Sequence, residues 1–155
     1  MRSEIVRRAQ PNTLRRMVRI SAAYYGELHC EAVHGPSQAQ LQTDAPADNE
    51  GRGEAFSPTD LVATALGTCI LTTMGIVARR EGIAMEGSTV TVDKEMTAQP
   101  PRRIARLTVH VHMAIPRSAD PNGVLEPIMT KCPVSRSLHP DVELATRITW
   151  KADQP

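Results

Sequence analysis

The feature that most limits the fold of this 155-residue chain is a long uncharged segment from Leu61 to Ala78. The segment just reaches the length of a membrane-spanning helix. It is diluted by threonines and glycines, which make it too polar for a confident lipid-facing span. We therefore predict a buried helix of a soluble protein. Gly67 and Gly75 lie inside this helix, where each glycine costs about 1 kcal/mol, so we expect close neighbours at both positions.

The ends of this helix are marked by strong local signals. Ser57 is a good N-cap, Pro58 suits the first helical position, and Asp60 stands at the carboxylate position of a capping box. The helix should run to about Arg80, and Gly82 can close it. The sequence thus predicts one central helix of known bounds.

The rest of the chain alternates between strand and helix patterns. The predicted strands cover 17–33, 88–97, 107–115 and 142–150, with 88–97 and 107–115 antiparallel, and a second helix is predicted over 124–132 with a helical turn after Pro133. Asp44 to Phe56 is predicted as a polar loop. The pattern indicates one α+β domain over residues 1–155, in which 1–13 form a basic N-terminal arm or extension.

Composition narrows the possible functions. The net charge is +1, so the protein has no strong positive electrostatic field to attract nucleic acid. Only 3% of the residues are aromatic, which disfavours a surface on which bases could stack. The same charge balance gives no attraction to a membrane surface. The 3 cysteines contain no CxxC pair, which disfavours structural zinc and a secreted disulfide framework. We expect a cytoplasmic protein that acts on small molecules or protein partners.

Two of the cysteines have settings that could support chemistry. Cys69 falls at the centre of the apolar helix face, together with Val62, Ala65, Leu66, Thr73 and Ile76. Cys132 precedes Pro133, and a helix starting there would place its thiol at a helix N-terminus beside Lys131 and Arg136, all of which favour a thiolate. Free cysteine is also a common core residue, so both could simply pack. Cys30 receives no role.

Two histidines on one strand raise the question of a metal site. His110 and His112 alternate on one face of the predicted strand. Metal sites in proteins use three or four protein ligands, and no third ligand is near them in the sequence. We predict no metal.

Four stretches of the sequence resemble the osmotically inducible protein C and organic hydroperoxide resistance (OsmC/Ohr) family. They are LQTDAP from Leu41, GRGEAFSPTDLVATALGTC from Gly51 to Cys69, PRRI from Pro101, and KCPVS from Lys131. The resemblance covers about residues 14–150. It implies an α+β intertwined homodimer in which two central helices are wrapped by antiparallel sheets from both chains.

The resemblance also implies a function. Cys69 matches the peroxide-attacking cysteine of a thiol peroxidase and Cys132 its resolving partner. The substrate would be an organic hydroperoxide, which an aliphatic, Met-rich pocket would suit. No bound cofactor is implied, but an external dithiol or lipoyl-type reductant must reset the enzyme.

The sequence departs from the best-characterised reductase branch and is closer to a less characterised OsmC-like branch. That reductase branch has a glutamate ten residues before the first cysteine, where this chain has Thr59 followed by Asp60. On one straight helix Asp60 and Cys69 lie on opposite faces, so Asp60 either caps the helix or acts through a cation. Arg102 and Arg19 are the candidate cations beside Cys69. The alternative is a non-enzymatic dimer that binds a small hydrophobic ligand.

Overall fold

The computed structural model describes residues 17–152. Contacts between residues divide the chain into two compact units, one ending at Thr43 and one beginning at Asp44. The sequence predicted a single domain over 1–155. The predicted N-terminal arm, residues 1–13, lies outside the described residues.

The unit that ends at Thr43 is built on a sheet of three strands. Their bounds are β1 Ile20–Gly26, β2 His29–His34 and β3 Gln40–Asp44, in the order β1-β2-β3. β1 and β2 are antiparallel, with Ile20 opposite His34. Glu27 and Leu28 between them both have positive φ, as in a two-residue hairpin turn. The stretch 17–33, which was predicted as strands with a turn marked by Gly26, is therefore a hairpin.

The unit that begins at Asp44 contains the central helix, α1, from Pro58 to Glu81. Ser57 is its N-cap, the capping box with Asp60 is formed, and Gly82 ends it in the left-handed region at φ 71°. The predicted bounds and caps of this helix are confirmed. By length and composition α1 could cross a membrane, a test that core helices of soluble proteins also pass.

A second three-stranded sheet packs against α1. β4 (Thr89–Met96) is antiparallel to β5 (Ile104–Pro116), as predicted. β6 (Glu143–Lys151) pairs with β5 in parallel. The expectation of purely antiparallel sheets was therefore wrong. The long connection between β5 and β6 crosses over and returns the chain in the same direction, which a parallel pair requires.

This crossover contains less helix than predicted. Instead of a helix over 124–132, it has a 3-10 helix at Glu126–Thr130 and then the short helix α2 at Pro133–Ser137. Pro133 has no N–H and its ring clashes with the preceding turn, so a helix from 124 cannot continue through it. Cys132 consequently becomes the N-cap of α2, as the sequence predicted for a helix that starts at Pro133.

The core between α1 and its sheet is aliphatic and rich in methionine, in keeping with the low aromatic content of the chain. Its buried members are Ala63, Leu66, Ile70, Met74 and Ala78 from α1, Leu107, Val109, Val111 and Met113 from β5, and Leu125, Met129 and Cys132 from the crossover. A Cβ at Gly67 would come 3.0 Å from Val92 Cγ2. No described atom lies within 4 Å of one at Gly75. The predicted close neighbour is confirmed at Gly67.

The buried face of α1 is rotated relative to the prediction. Cys69 was expected at the centre of the buried face, but it lies half-buried at its edge. Ile76, expected on the same face, is 41% exposed, and Ala65 is exposed as well. The threonine and alanine content of α1 makes its hydrophobic stripe diffuse, so helical periodicity alone placed the face inaccurately.

Candidate functional site

The two cysteines that the sequence singled out come together, although 62 residues separate Cys69 from Cys132 along the chain. Cys69 projects from the middle of α1, and Cys132 caps the first turn of α2. Cys69 packs against the buried cluster that contains Cys132, and an interaction with the Cys69 side chain is among the causes that lower the pKa of the Cys132 thiol. Both cysteines are free thiols. α1 and α2 pack against each other, which brings two thiols together that no local pattern could have paired.

The two thiols differ in exposure. Cys132 is completely buried, whereas Cys69 is half-buried. Of these two residues, only Cys69 has surface that is accessible to solvent within this unit.

The surroundings of Cys132 favour its thiolate. Burial raises the pKa of the Cys132 thiol, but hydrogen bonds from the Ser135 side chain and backbone, the Cys69 thiol and the Val134 N–H outweigh burial, and the pKa is lowered overall. The Ser135 N–H lies 3.4 Å from Cys132 Sγ. The sequence attributed this effect to a helix N-terminus together with Lys131 and Arg136. The N–H groups of the first turn of α2 are among the causes, as predicted, whereas Lys131 and Arg136 are exposed and are not.

An apolar groove runs beside the thiol pair. It has a volume of about 440 Å³ and is lined by Leu61, Val62 and Ala65 of α1 and by Pro133, Val134, Ser137 and Leu138 of the α2 region. Ala65 stands one helical turn before Cys69, and Pro133 directly follows Cys132. The predicted pocket was aliphatic and Met-rich. The groove is aliphatic, but the buried methionines of this unit belong to the core and do not line it.

Asp60 occupies a different face of α1. Its carboxylate accepts a hydrogen bond from Ser57 N at 2.8 Å and one from Lys94 Nζ at 2.6 Å. Burial raises the pKa of Asp60, but the Lys94 and Ser57 hydrogen bonds and the Lys94 charge outweigh it, so the pKa is lowered. Asp60 thus caps the helix and also pairs with a cation. It borders a cleft of about 870 Å³ that Cys69 does not line.

Lys94 is a residue whose role the sequence reasoning missed. It lies on the face of β4 that Val90 and Val92 present to α1, and its side chain is 16% exposed. Its Nζ also donates to Thr59 Oγ1 at 2.8 Å. A lysine at an alternating apolar position of a strand usually needs a buried partner, and this signal could have predicted the pair with Asp60.

The two candidate arginines have different surroundings. Arg102 donates to Asp48 Oδ2 at 3.0 Å, and 41% of its side chain is exposed. Arg19 belongs to the unit that ends at Thr43, where its carbonyl oxygen accepts a hydrogen bond from Gly35 N at 2.9 Å. No described hydrogen bond or ion pair joins Arg102 to a cysteine. A role for either arginine at Cys69 stays a prediction.

The histidine pair is joined through a hydroxyl. His110 Nε2 and His112 Nδ1 lie 3.1 and 3.0 Å from Thr149 Oγ1. Within residues 17–152, no group of three His, Cys, Asp or Glu side chains is placed to hold a metal ion.

Comparison with known proteins gives one family. Residues 51–147 match the model of the OsmC-like protein family. No curated protein matches the chain.

Solved structures of similar proteins agree with this match. A Psychrobacter arcticus 273-4 protein, named for osmotic stress induction and detoxification response, is 37% identical, covers 88% of this chain and 99% of its own, and gives a TM-score of 0.78. An organic hydroperoxide resistance protein OsmC from Legionella pneumophila is 18% identical, with coverages of 86% and 97% and a TM-score of 0.69.

An organic hydroperoxide resistance protein from Elizabethkingia anophelis is 14% identical, with coverages of 89% and 100% and a TM-score of 0.68. At such identities the Legionella and Elizabethkingia structures show a shared fold. The α+β fold that the sequence predicted is thereby confirmed.

Proposed function

The chain belongs to the OsmC-like protein family, and from that premise we propose that it is a thiol peroxidase that reduces organic hydroperoxides. The observation that carries the proposal is the proximity of Cys69 to Cys132, which the packing of α1 against the α2 region brings about. A peroxidase of this kind needs a second thiol next to the first, and a pair of packing cysteines does not. Two of the similar structures are named as organic hydroperoxide resistance proteins.

The proposed reaction uses the two thiols in sequence. The sulfur of Cys69 attacks the terminal oxygen of the hydroperoxide, the O–O bond breaks, and an alcohol leaves. Cys69 becomes a sulfenic acid, on which the sulfur of Cys132 forms a disulfide with release of water. An external dithiol or lipoyl-type reductant then returns both cysteines to thiols. No bound cofactor takes part.

The groove beside the thiols supports an organic substrate. A hydroperoxide that approaches Cys69 can lay its hydrocarbon part along Val62, Ala65 and Val134. Burial of an apolar substituent there contributes about 0.8 kcal/mol per methylene group. Hydrogen peroxide has no such part, so the groove favours larger hydroperoxides.

The proposed assembly is a homodimer. Ala65, Thr68, Thr72 and Ile76 form an exposed face of α1, which a second copy would cover. Arg102 or Arg19 would act as the cation at Cys69. We further propose a cytoplasmic location and no binding to nucleic acid or membranes.

A second candidate function is supported by the same groove. It is apolar and measures about 440 Å³, a volume within the range of small-molecule sites. In this alternative the dimer binds a hydrophobic ligand and the cysteines are structural.

A thiol count distinguishes the two functions. One equivalent of cumene hydroperoxide per protomer should reduce the number of free thiols from 3 to one, because Cys69 and Cys132 form a disulfide and Cys30 does not react. The Cys30→Ser variant is the matched control and should lose both of its thiols. An unchanged count in the reduced protein would contradict the peroxidase and support the binding protein.

A further inference from the structure

The crossover between β5 and β6 contains a fully buried carboxylate that takes no part in the proposed reaction. Asp120 is 0% exposed. Its Oδ1 accepts a hydrogen bond from Val124 N at 3.0 Å, and its Oδ2 accepts one from Leu125 N at 3.2 Å. A carboxylate that has lost its water needs such donors, and in return it fixes the backbone that supplies them.

Arg117 and Trp150 tie Asp120 to the sheet. Arg117 Nη1 donates to the Asp120 carbonyl oxygen and lies 3.7 Å from Asp120 Oδ2. The same guanidinium lies over the Trp150 ring, 5.1 Å from its centroid. Trp150 belongs to β6, so the start of the crossover is fastened to a strand of the sheet by a cation–π contact.

A continuous run of hydrogen bonds leads from Asp120 to Cys132. The first is the bond from Leu125 N to Asp120 Oδ2. The Leu125 carbonyl oxygen then accepts from Ile128 N at 3.1 Å, and the Ile128 carbonyl oxygen accepts from Cys132 N at 3.1 Å. The side chains of Leu125, Met129 and Cys132 are buried in one cluster. The place of Cys132 is therefore linked, bond by bond, to the place of Asp120.

We propose that Asp120 is a positioning residue for the second thiol, which holds the crossover so that Cys132 can attack the sulfenic acid of Cys69. This inference rests on the proposed peroxidase function. No described hydrogen bond joins Asp120 to either cysteine, so it acts through the crossover backbone. Such an action at a distance has large effects, because a misplacement of about 1 Å can slow a reaction between two held groups roughly 100-fold.

The first test is Asp120→Asn. The amide has one oxygen where the carboxylate has two, so one of the two N–H groups that Asp120 holds would face an NH2 group and lose its acceptor. The reduced variant receives cumene hydroperoxide in increasing amounts, and mass spectrometry measures the disulfide and the sulfinic acid of Cys69. We expect the first oxidation of Cys69 to stay within about twofold of the wild type and disulfide formation to be about tenfold slower.

The slower second step has a visible product. A second molecule of cumene hydroperoxide oxidises the waiting sulfenic acid of Cys69 to a sulfinic acid, with release of another alcohol. The ratio of sulfinic acid to disulfide should therefore rise in Asp120→Asn. Glu126→Gln makes the same acid-to-amide change at an exposed position of the same crossover and should match the wild type.

A second variant keeps the test independent of whether Asp120→Asn folds. Arg117→Met removes the cation beside Asp120 and leaves an apolar side chain for Trp150 to contact, and 48% of the Arg117 side chain is exposed. It should raise the ratio of sulfinic acid to disulfide in the same direction, by about threefold.

A measurement without peroxide separates this inference from the proposed function. Equilibration with reduced and oxidised glutathione gives the effective concentration of the Cys132 thiol at Cys69, which we expect to be about tenfold lower in Asp120→Asn. Unchanged product ratios and an unchanged glutathione equilibrium in both variants, with lower thermal stability, would overturn the inference and leave Asp120 with a purely structural role. A wild type that closes the disulfide with glutathione but forms no sulfenic acid with peroxide would instead overturn the proposed function.

Discussion

Two faces of α1 carry two pairs of polar side chains with opposite characters. On one face, the charges of Asp60 and Lys94 neutralise each other at 2.6 Å. On the other, Cys69 and Cys132 form a pair without formal charges, and no cation is among the causes of the lowered pKa of Cys132. The Lys94 ammonium donates to Ser57, Thr59 and Asp60, and the Asp60 carboxylate also accepts from the Ser57 N–H.

The two faces of α1 also differ in the size of the cleft that lies beside each. The cleft beside Asp60 and Lys94 measures about 870 Å³ and the groove beside the thiols about 440 Å³. The larger cleft is lined by the Asp60–Lys94 ion pair, whereas the smaller one is lined by Ala65 and Pro133, which lie close in sequence to Cys69 and Cys132. In the proposed function, the two thiols mark the reactive side of this helix, which is neither the side of the larger cleft nor that of the ion pair.

The largest expected effect separates the two faces directly. Cys69→Ser should lower the turnover of cumene hydroperoxide at least about 1,000-fold, because a serine hydroxyl is not a nucleophile toward peroxides at neutral pH. Turnover is measured with an excess of dithiol reductant. Cys30→Ser is the control and should keep wild-type turnover. Retained turnover in Cys69→Ser would assign the attack to Cys132, whose complete burial argues against it.

The sequence predicted α1 and its caps because every signal for them is local. Ser57, Pro58 and Asp60 lie within one turn, and Gly82 closes the other end. The buried face was less predictable, because a helix with many threonines and alanines has little contrast between its sides. Ile76, which was predicted on the apolar face, is exposed within one protomer and would be covered only in the proposed dimer.

The candidate site depended on contacts between distant parts of the chain. The pairing of Cys69 with Cys132 was an expectation from family resemblance, since no spacing rule joins two thiols on different helices. The parallel direction of β6 depends on the path of the connection between β5 and β6. The alternating pattern of 142–150 predicts a strand but not its direction. The sequence shows Lys94 at an alternating apolar position of its strand. Its partner Asp60 was not recognised, because the capping box of α1 already accounted for that carboxylate.

The second expected effect tests whether the exposed face of α1 meets a second copy. No described atom lies within 4 Å of a Cβ placed on Gly75, although a glycine inside a helix suggests a close neighbour. In the proposed homodimer that neighbour is the partner chain. Gly75→Ala should therefore weaken the dimer about tenfold, as measured by sedimentation, although alanine alone would stabilise the helix by about 1 kcal/mol.

Gly67→Ala is the matched control for this prediction. Its Cβ would lie 3.0 Å from Val92 Cγ2 and 3.2 Å from Val90 Cγ1, inside the same unit. It should lower the unfolding free energy without selectively weakening the dimer. A well-folded wild-type monomer at micromolar concentration would contradict the intertwined dimer, because such a dimer has no stable isolated protomer.

The third expected effect concerns the ion-pair face. Lys94→Met should lower the unfolding free energy by about 1 kcal/mol at pH 7, because Asp60 keeps its charge and loses its cation. The loss is limited because the Asp60 side chain is 40% exposed and solvent screens its charge. Hydroperoxide turnover should stay within about twofold of the wild type, since Lys94 contacts neither cysteine through a described hydrogen bond. A large loss of turnover would join the two faces into one site.

The same ion pair has a defined pH dependence. The folded pKa of Asp60 is lowered, so its contribution to stability is present above the unfolded pKa of about 3.9 and is lost as pH falls through the lower folded pKa. The unfolding free energies of wild type and Lys94→Met, measured in urea, should therefore differ at pH 7 and approach each other below about pH 3. A constant difference over this range would contradict the role of the Asp60 charge.

The smallest expected effect belongs to Arg102, the candidate cation that already has a partner. Its guanidinium donates to Asp48 at 3.0 Å, and a cation paired with a carboxylate contributes less charge to any third group. Arg102→Met should therefore slow oxidation of Cys69 only about threefold and move its pH profile slightly upward, without unfolding the protein. Asp48→Asn leaves Arg102 unpaired and should act in the opposite direction. Unchanged kinetics in both, with a collapsed rate in Arg19→Met, would transfer the role to Arg19.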